Sequence, residues 1–291
     1  MDRKKDEVMG LFTKKRKDAD WVKPQDAIGM IMPFIMPRRT DAEVSSQIDI
    51  DVTELVKYVE KYNEEEHEYK MSYFHAIASC FAKIMFERKK LNRFIKNKRV
   101  YERKKVSFGF IAKDKLTDKG EERIICLDID PKDNIQTLSR KMAIDVFKAR
   151  KEGTNSMDGI LKFFVAMPKW LLSLVVKIIF FLDNHGINPK AITEGDTNYV
   201  SILLSNLGSI KSNSIYHHLN EYGTNSIVIT IGTIREEKGR KIVDIQATLD
   251  ERIADGFYFV KSIQLAEYYA LHPELLEEEF DKIVEKEEKS M

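Results

Sequence analysis

The sequence of 291 residues has little cysteine, proline or glycine, with 2, 7 and 13 of these residues. The two cysteines, Cys80 and Cys126, lie far apart in apolar surroundings and lack the spacing of a zinc site, so we predict no metal centre. Their scarcity favours two reduced, buried thiols in a reducing compartment, with a disulfide between them as the alternative. The first 20 residues contain no apolar signal-peptide core, which predicts a cytoplasmic protein.

An excess of charge of one sign is also missing. The chain has 48 basic and 47 acidic residues, a net charge of +1. This balance gives no reason to expect nucleic acid or an anionic membrane as a partner. Hydrophobic residues make up 43% of the chain and charged residues 33%, which is the profile of a globular protein with a substantial core.

The middle of the chain contains no repeat, heptad series or Pro/Ala-rich linker, so we predict one domain over residues 21–275. Residues 1–20 are predicted to be a polar tail, because five acids dilute the basic run Lys14–Lys17. Residues 276–291 are predicted to be an acidic C-terminal tail.

Helical and strand-like periodicities alternate along the domain. Apolar residues at steps of three and four predict helices over residues 53–63, 73–88, 136–150 and about 261–271. Strands are predicted over residues 106–111, 123–128, 199–204, 226–231 and 242–249, with an exposed hairpin turn at 236–240. Intermixed helices, strands and hairpins indicate an α/β two-layer sandwich with a mixed β-sheet.

One long apolar segment, Trp170–Leu182, covers thirteen residues. A helix needs ~20 residues to span a bilayer, so a spanning helix is not predicted. The preferred interpretation is a buried or subunit-contacting helix that ends at Asn184. The alternative is a hydrophobic surface that touches a membrane or a lipid-like acceptor.

Three features of the last third carry potential chemistry. The first is Ser205-Asn206-Leu207-Gly208, at the end of the strand predicted over 199–204. A hydroxyl where a strand gives way to a turn can hydrogen-bond a developing oxyanion. The same residue types are also ordinary turn formers, so this motif alone does not decide the function.

The second feature is the segment from Asp250 to Gly256. Glu251 directly follows an apolar strand, where partial burial would make its carboxylate a usable proton acceptor. Asp255 lies beside Gly256, which predicts a tight turn in which a cation or backbone amides hold the carboxylate. The alternative is a surface group of charges at a strand end.

The third feature is the pair His217 and His218. Adjacent side chains point to opposite faces of a strand or lie ~100° apart on a helix, so they form a poor chelating pair. Either histidine can act as an acid or base in a cleft, or serve as a hydrogen-bonded structural residue.

The order and spacing of these features resemble the catalytic domain of 2-oxo acid dehydrogenase acyltransferase components and, more distantly, chloramphenicol acetyltransferase. That family has a strand ending in Ser-Asn-Leu-Gly, two further strands, and Asp-His-Arg-x-x-Asp-Gly before the last helix. Ser205–Gly208 matches the first element, and Asp250, Arg252, Asp255 and Gly256 match the second. The resemblance covers about residues 25–272, of which the C-terminal third is specific.

The resemblance implies an acyltransferase that forms a homotrimer, with its site at the subunit interface. A coenzyme A thioester would be the co-substrate, no cofactor would be tightly bound, and the acceptor would be a small or lipid-like hydroxyl, amine or thiol. Ser205 would stabilise the oxyanion, and an arginine would hold Asp255, with Arg38 and Arg39 as the candidate partners. The residues implied as structural support are Asn206, Arg252 and Gly256.

The chain departs from the family at the catalytic histidine, where Glu251 stands. A carboxylate with an ordinary pKa of ~4.3 is a weak base toward an alcohol, and its charge would oppose a nearby oxyanion. Glu251, His217 or His218 would then be the base, or the domain is an inactive scaffold or binding protein. The retained Ser205 and the frame of Arg252 favour an enzyme. Without a lipoyl-type domain before residue 25, we expect a free-standing acyltransferase.

Overall fold

The computed structural model describes residues 15–23, 27–113, 120, 122–152, 159, 164–187 and 189–282. The strands are β1 Ala19–Trp21, β2 Glu43–Asp51, β3 Arg93–Lys96, β4 Arg99–Arg103, β5 Val106–Lys113, β6 Glu122–Ile129, β7 Ile202–Asn206, β8 Ile227–Glu237 and β9 Arg240–Asp250. The α-helices are α1 Ala27–Ile35, α2 Thr53–Glu64, α3 Tyr73–Glu87, α4 Ile135–Glu152, α5 Lys169–Asn184, α6 Lys190–Thr193 and α7 Gly256–Leu271.

The main sheet has six strands in the order β2-β9-β8-β7-β5-β6, and a smaller sheet has the order β1-β4-β3. Strand β7 pairs in parallel with both β5 and β8, whereas the other pairs are antiparallel. Helices α2, α3, α4 and α7 pack on one face of the main sheet around a single large apolar cluster. The predicted two-layer α/β sandwich with a mixed sheet is confirmed.

The two faces of the main sheet differ in chemistry, as β9 shows most clearly. Its apolar residues alternate with polar ones because successive side chains of a strand point to opposite faces. The residues that join the core beneath the helices are Val243, Ile245, Ala247 and Leu249. The buried polar residues on the other face are Asp244, Gln246, Thr248 and Asp250. We call this second side the polar face.

The predicted elements are present with small shifts at their ends. The hairpin turn at 236–240 is confirmed, and it reverses direction through positive φ angles at Lys238 and Gly239. The strand predicted from residue 199 begins at Ile202, because Thr197–Tyr199 forms a 3-10 turn that Asp196 caps. Both cysteines are free, Cys80 buried and Cys126 half-buried, and burial raises the pKa of each thiol to about 12.

The predicted tail boundaries need correction at both ends. Residues 19–21 form β1, which pairs with β4, and Arg16 is buried among aromatic rings of the small sheet. At the other end, Leu276 and Phe280 are buried in the main core. These side chains gain more from burial than the charged residues around them lose, so the fold extends into both predicted tails. Residues 283–291 lie outside the described part of the chain.

The helix predicted over Trp170–Leu182 is not buried within the chain, so a subunit-contacting helix and the alternative hydrophobic surface both stay predictions. The segment is helical as α5, but the buried side chain on it is Asp183, just beyond the apolar run. The apolar side chains themselves are exposed or half-buried. Across the described ranges, no helix combines the length and the apolar character needed to cross a bilayer.

Helix α3 begins with a capping box that depends on a neutral histidine. The Ser72 hydroxyl accepts the N–H of His75 at 3.2 Å, and the His75 ring Nδ1 accepts the N–H of Ser72 at 3.4 Å. The His75 side chain is buried, and burial lowers its pKa to about 4. A protonated ring would lose the acceptor and place a charge in the core.

Because of this capping box, the free energy of unfolding depends on pH in acidic solution. Between pH ~6.5 and ~4 the unfolded chain binds a proton that the folded chain does not, so the free energy of unfolding falls as the pH falls. His75 should contribute up to ~3 kcal/mol to this loss, measured by urea unfolding at several pH values. The His75→Gln protein should show a shallower slope in this window, with His272→Gln, which removes an exposed histidine, as the control. Equal slopes for the wild type and His75→Gln would contradict the assignment.

Candidate functional site

Ser205 lies near the carboxyl end of β7, opposite Thr230 of the neighbouring strand β8. This register places Ser205 on the polar face, because Leu204 on its N-terminal side belongs to the core. Its side chain is half-buried and has no hydrogen-bond partner among the described residues. The hydroxyl is therefore available to donate a hydrogen bond to a ligand in the position that the sequence predicts.

The turn that follows Ser205 is held tightly against β8. Leu207 donates its N–H to the carbonyl of Ile231 at 2.9 Å, and the side chain of Asn206 accepts the N–H of Ser209 at 3.3 Å. A Cβ on Gly208 would stand 2.6 Å from the carbonyl oxygen of Gly232, so this position requires glycine. Asn206 thus has the predicted structural role, and the close packing fixes where the Ser205 hydroxyl lies.

The second element of the candidate site contains the charge pair of Asp250 with Arg252. The carboxylate of Asp250 is fully buried and accepts hydrogen bonds from Arg252 Nε at 2.7 Å and Nη2 at 2.6 Å. Arg252 also donates from Nη1 to the carbonyl of Met36 at 2.7 Å. This bidentate pair ties the end of β9 to the segment that follows α1.

Among the described residues, no arginine pairs with Asp255. Asp255 is exposed and caps α7, where its carboxylate accepts the N–H of Tyr258 at 2.8 Å. A backbone amide is one of the two kinds of partner that the sequence predicts for this carboxylate. A helix N-terminus favours such an acceptor, and Gly256 is its first residue.

The two candidate arginine partners have other roles. Arg38 is exposed and pairs with Asp41 at 2.9 Å. Arg39 is buried, and its guanidinium donates to backbone carbonyls of the loop that passes over it, those of Asn220, Glu221 and Gly223. Burial lowers the pKa of Arg39, and the nearby Asp250 charge opposes that effect. Arg39 therefore supports the Asp250 region and does not hold Asp255.

Glu251 comes directly after the Asp250 carboxylate, at the end of β9. Its N–H donates to the carbonyl of Ala42 at 2.9 Å, which fixes its backbone. The side chain is half-buried, and within the described part of the chain its carboxylate makes no hydrogen bond or ion pair. The backbone of Glu251 is thus fixed, while its carboxylate is available to a ligand or a neighbouring subunit.

His217 and His218 lie on the loop that follows Ser205 and crosses the polar face. Before them, the carbonyl of Ile215 accepts a hydrogen bond from Thr230, which is paired with Ser205. After them, Leu219 donates its N–H to the carboxylate of Glu43, which is paired with Asp250. The His217 ring hydrogen-bonds the carbonyl of His218 at 2.8 Å, and the two rings stack. The histidines therefore lie between the level of Ser205 and that of Asp250.

Within one chain, Ser205 and Glu251 do not meet. Ser205 is level with Thr230 of β8 and with Gln246 of β9, whereas Glu251 lies five residues further along β9. With ~3.3 Å per residue along a strand and ~4.8 Å between strands, the two positions are roughly 20 Å apart. A hydroxyl and a base at this distance cannot act on the same atom.

The sequence analysis missed a buried polar group beside the Ser205 turn. Asp244 is buried on the polar face, and its carboxylate lies so close to Gly232 that a Cβ there would clash with it. It accepts the N–H of Ser214 at the start of the loop. The alternation of polar and apolar residues along β9 was the available signal that its polar side chains share one face of the sheet. In the ranges that the structure describes, no group of three or more His, Cys, Asp or Glu residues is placed to hold a metal ion.

No protein-family model matches the chain, and no curated protein does. Solved structures are similar. A probable dihydrolipoamide acetyltransferase from Listeria monocytogenes shares 15% identity and a TM-score of 0.55, over 86% of this chain and 94% of its own. The truncated catalytic core of a 2-oxoacid dehydrogenase multienzyme complex from Thermoplasma acidophilum shares 14% identity and a TM-score of 0.56, over 87% of this chain and 99% of its own.

Two further similar structures are enzymes of the same fold. A chloramphenicol acetyltransferase shares 11% identity and a TM-score of 0.54, over 87% of this chain and 99% of its own. The dihydrolipoamide acetyltransferase of Azotobacter vinelandii shares 12% identity and a TM-score of 0.57, over 88% of this chain and 94% of its own. In that protein, the roles of a serine, a histidine and an asparagine in the catalytic mechanism were investigated. The chain thus has the fold of the chloramphenicol acetyltransferase-like acyltransferases, and at these identities the likeness shows the fold alone.

The buried pair of Asp250 and Arg252 should dominate the stability of this region. Arg252→Met would leave the Asp250 carboxylate buried without its cation, which should lower the free energy of unfolding by ~3–5 kcal/mol in urea titrations. Arg38→Met, which breaks an exposed pair, should leave the free energy of unfolding nearly unchanged and is the matched control.

A double variant separates this pair from a simple loss of packing. Asp250→Asn combined with Arg252→Met removes both charges, so it should be less destabilising than the sum of the two single changes. Additive losses, or an Arg252→Met protein as stable as the wild type, would show that the ion pair does not stabilise the region.

Proposed function

We propose that this chain is an acyltransferase that moves an acyl group from a coenzyme A thioester to a hydroxyl, amine or thiol acceptor. The observation that carries the proposal is the state of the Ser205 side chain. Its half-buried hydroxyl has no partner among the described residues, and a glycine-dependent turn at Gly208 fixes its position on a fold that acyltransferases share. A structural serine would be expected to use its hydroxyl in the turn, as Ser209 does.

The site would form between neighbouring subunits of a homotrimer. Ser205 and Glu251 lie roughly 20 Å apart within a chain, so a second copy must bring them together. Repetition of one contact around a three-fold axis would generate three equivalent sites, each with Ser205 of one subunit and Glu251 of the next.

In the proposed reaction, Glu251 accepts the proton from the acceptor group as that group attacks the thioester carbonyl carbon. Ser205 donates a hydrogen bond to the oxyanion of the tetrahedral intermediate. When the intermediate collapses, the carbon–sulfur bond breaks and the proton passes to the thiolate of coenzyme A. The negative charge of Glu251 lies on the side of the acceptor, where it assists deprotonation before the oxyanion forms.

A second candidate function is a binding protein or scaffold without catalytic activity. It is favoured by the glutamate at the position where the similar family has a histidine, because a carboxylate is the weaker base. His217 and His218 are the other candidate bases, since their loop passes between the levels of the two site residues.

The direct test follows the release of free thiol from acetyl- and longer-chain acyl-coenzyme A in the presence of alcohols, amines and thiols. Ser205→Ala should lower kcat by ~100-fold or more through loss of the oxyanion donor, and Glu251→Gln should abolish turnover. Ser209→Ala, which removes a turn hydroxyl outside the proposed machinery, is the control. No thiol release and no binding of coenzyme A would favour the binding protein, and full activity of Glu251→Gln would move the base to the histidine loop.

A subunit-mixing experiment tests the shared site. Trimers assembled at random from equal amounts of Ser205→Ala and Glu251→Gln chains would contain intact sites in about a quarter of positions, because each site takes one residue from each of two neighbours. The inactive variants should therefore recover about a quarter of wild-type activity when they are refolded together. No recovery, in preparations that light scattering shows to be mixed oligomers, would show that the two residues do not share a site.

A further inference from the structure

Two helices with exposed apolar side chains are linked by the turn between β3 and β4. Their surface consists of α1, residues 96–99 and α5, and we call it the apolar–basic surface. Lys98 Nζ lies 4.7 Å from the ring centroid of Phe34 on α1, and Lys96 Nζ lies 5.8 Å from that of Phe180 on α5. A cavity of about 260 Å³ lined by Pro37, Lys98 and Phe180 lies where these parts meet.

Helix α5 is anchored to the protein through a side that contains one buried charge. Asp183 is buried, where its carboxylate pairs with Lys96 at 2.7 Å and with Arg16 at 3.0 Å. The same side also carries the half-buried Ile179, which lines a small cavity with Asp183. At 100° per residue, the opposite side of the helix carries an apolar stripe of Trp170, Leu174, Ile178 and Phe181. Trp170 is 70% exposed and Leu174 49% exposed. The helix is thus apolar on more than one side, and one apolar stripe lies in solvent.

Helix α1 repeats this pattern without any charge of its own. Its buried residue is Pro33, while its large apolar side chains are mostly exposed. The most exposed of them are Ile28, Met30, Ile31, Phe34 and Ile35. Two neighbouring exposed apolar helices exceed the scattered single apolar residues that a protein surface normally shows.

The exposed charges within the apolar–basic surface are basic. Its exposed charged side chains are those of Lys98, Lys169 and Lys177, and its one carboxylate, Asp183, is buried. At the edge of the surface, the exposed Glu221 lines the cavity, and its carboxylate accepts the backbone N–H of Arg39 at 2.8 Å. On α5, Lys177 lies about 20° from Trp170 around the helix axis, at the edge of the apolar stripe. Apolar side chains bordered by lysines complement a bilayer with anionic headgroups, because the rings and aliphatic chains enter the interface while the ammonium groups remain at the phosphates.

We propose that the apolar–basic surface docks onto an anionic lipid bilayer, with α1 and α5 lying in the plane of the headgroups. Neither helix is long enough to span the bilayer, which is consistent with an interfacial position. A second copy packed through the same surface on a two-fold axis would bring lysines against lysines, so charge disfavours that contact. A contact with a different surface of a neighbouring subunit, as in a trimer, is distinguished from lipid docking by the oligomeric state of the stripe variants.

Docking in this way would place the bilayer beside the Asp250–Gly256 segment. Arg252 lines the same cavity as Phe180 and Lys98, and Glu251 is its neighbour in sequence. An acceptor held in the bilayer would therefore arrive at the Glu251 side of the proposed site. The docking itself depends on the surface alone and does not require acyl transfer.

The test is co-sedimentation of the full chain with vesicles of phosphatidylcholine and with vesicles that also contain phosphatidylglycerol. The wild type should pellet with the anionic vesicles and less so at high salt, because salt screens the lysine–phosphate attraction. Leu174→Glu/Ile178→Glu should lower the vesicle-bound fraction about tenfold or more by placing charge on the apolar stripe. Lys98→Glu/Lys177→Glu should remove the preference for anionic vesicles.

The matched control is Phe147→Glu, an exposed apolar residue of α4 outside the surface, which should bind vesicles like the wild type. Circular dichroism and light scattering establish that each variant is folded and record its oligomeric state. Failure of the wild type to bind either kind of vesicle would overturn the proposal. A Leu174→Glu/Ile178→Glu protein that binds vesicles normally but loses its oligomeric state would assign the surface to a subunit contact. Thiol release is measured separately without vesicles, so loss of docking and loss of acyl transfer are distinguishable.

Discussion

The carboxylate of Asp250 is completely buried at the end of β9, and much of the surrounding structure compensates that charge. Arg252 neutralises it through two hydrogen bonds and also holds the carbonyl of Met36 after α1. Arg39 lies close by and holds the loop over the polar face through its carbonyls. A buried charge is tolerated only when it is paired and hydrogen-bonded, so this one constraint fixes the end of β9, the exit of α1 and the loop together.

The same constraint, repeated at Asp183, explains the orientation of α5. Lys96 and Arg16 pair with this buried carboxylate, and those contacts determine which side of the helix faces the protein. The apolar stripe is then left outside. The net charge of +1 gives no indication of this arrangement, because the basic residues that border the stripe are offset by acids elsewhere in the chain.

The two faces of the main sheet support different conclusions. The core beneath the helices is apolar and agrees with a fold that distant acyltransferases share at 11 to 15% identity. On the opposite face, Ser205 has a hydroxyl without a partner among the described residues, and Glu251 has such a carboxylate just beyond the end of β9. Proteins with the same packing and fold can have different reactions, so the proposed chemistry depends on those two side chains and on a second subunit.

The sequence alone predicted most helices, the strands β5 to β9, the two-layer architecture and the position of Ser205 at a strand end, because periodicity and local turn chemistry are encoded in neighbouring residues. It did not predict α1 or the small sheet of β1, β3 and β4, and for Asp255 it left a cation and backbone amides as alternatives. Only the tertiary structure decided that Arg252 pairs with Asp250, that residues 276–280 join the core and that α5 faces outward. These outcomes depend on buried charges meeting partners far away in the chain, and no local pattern records which partner a charge finds.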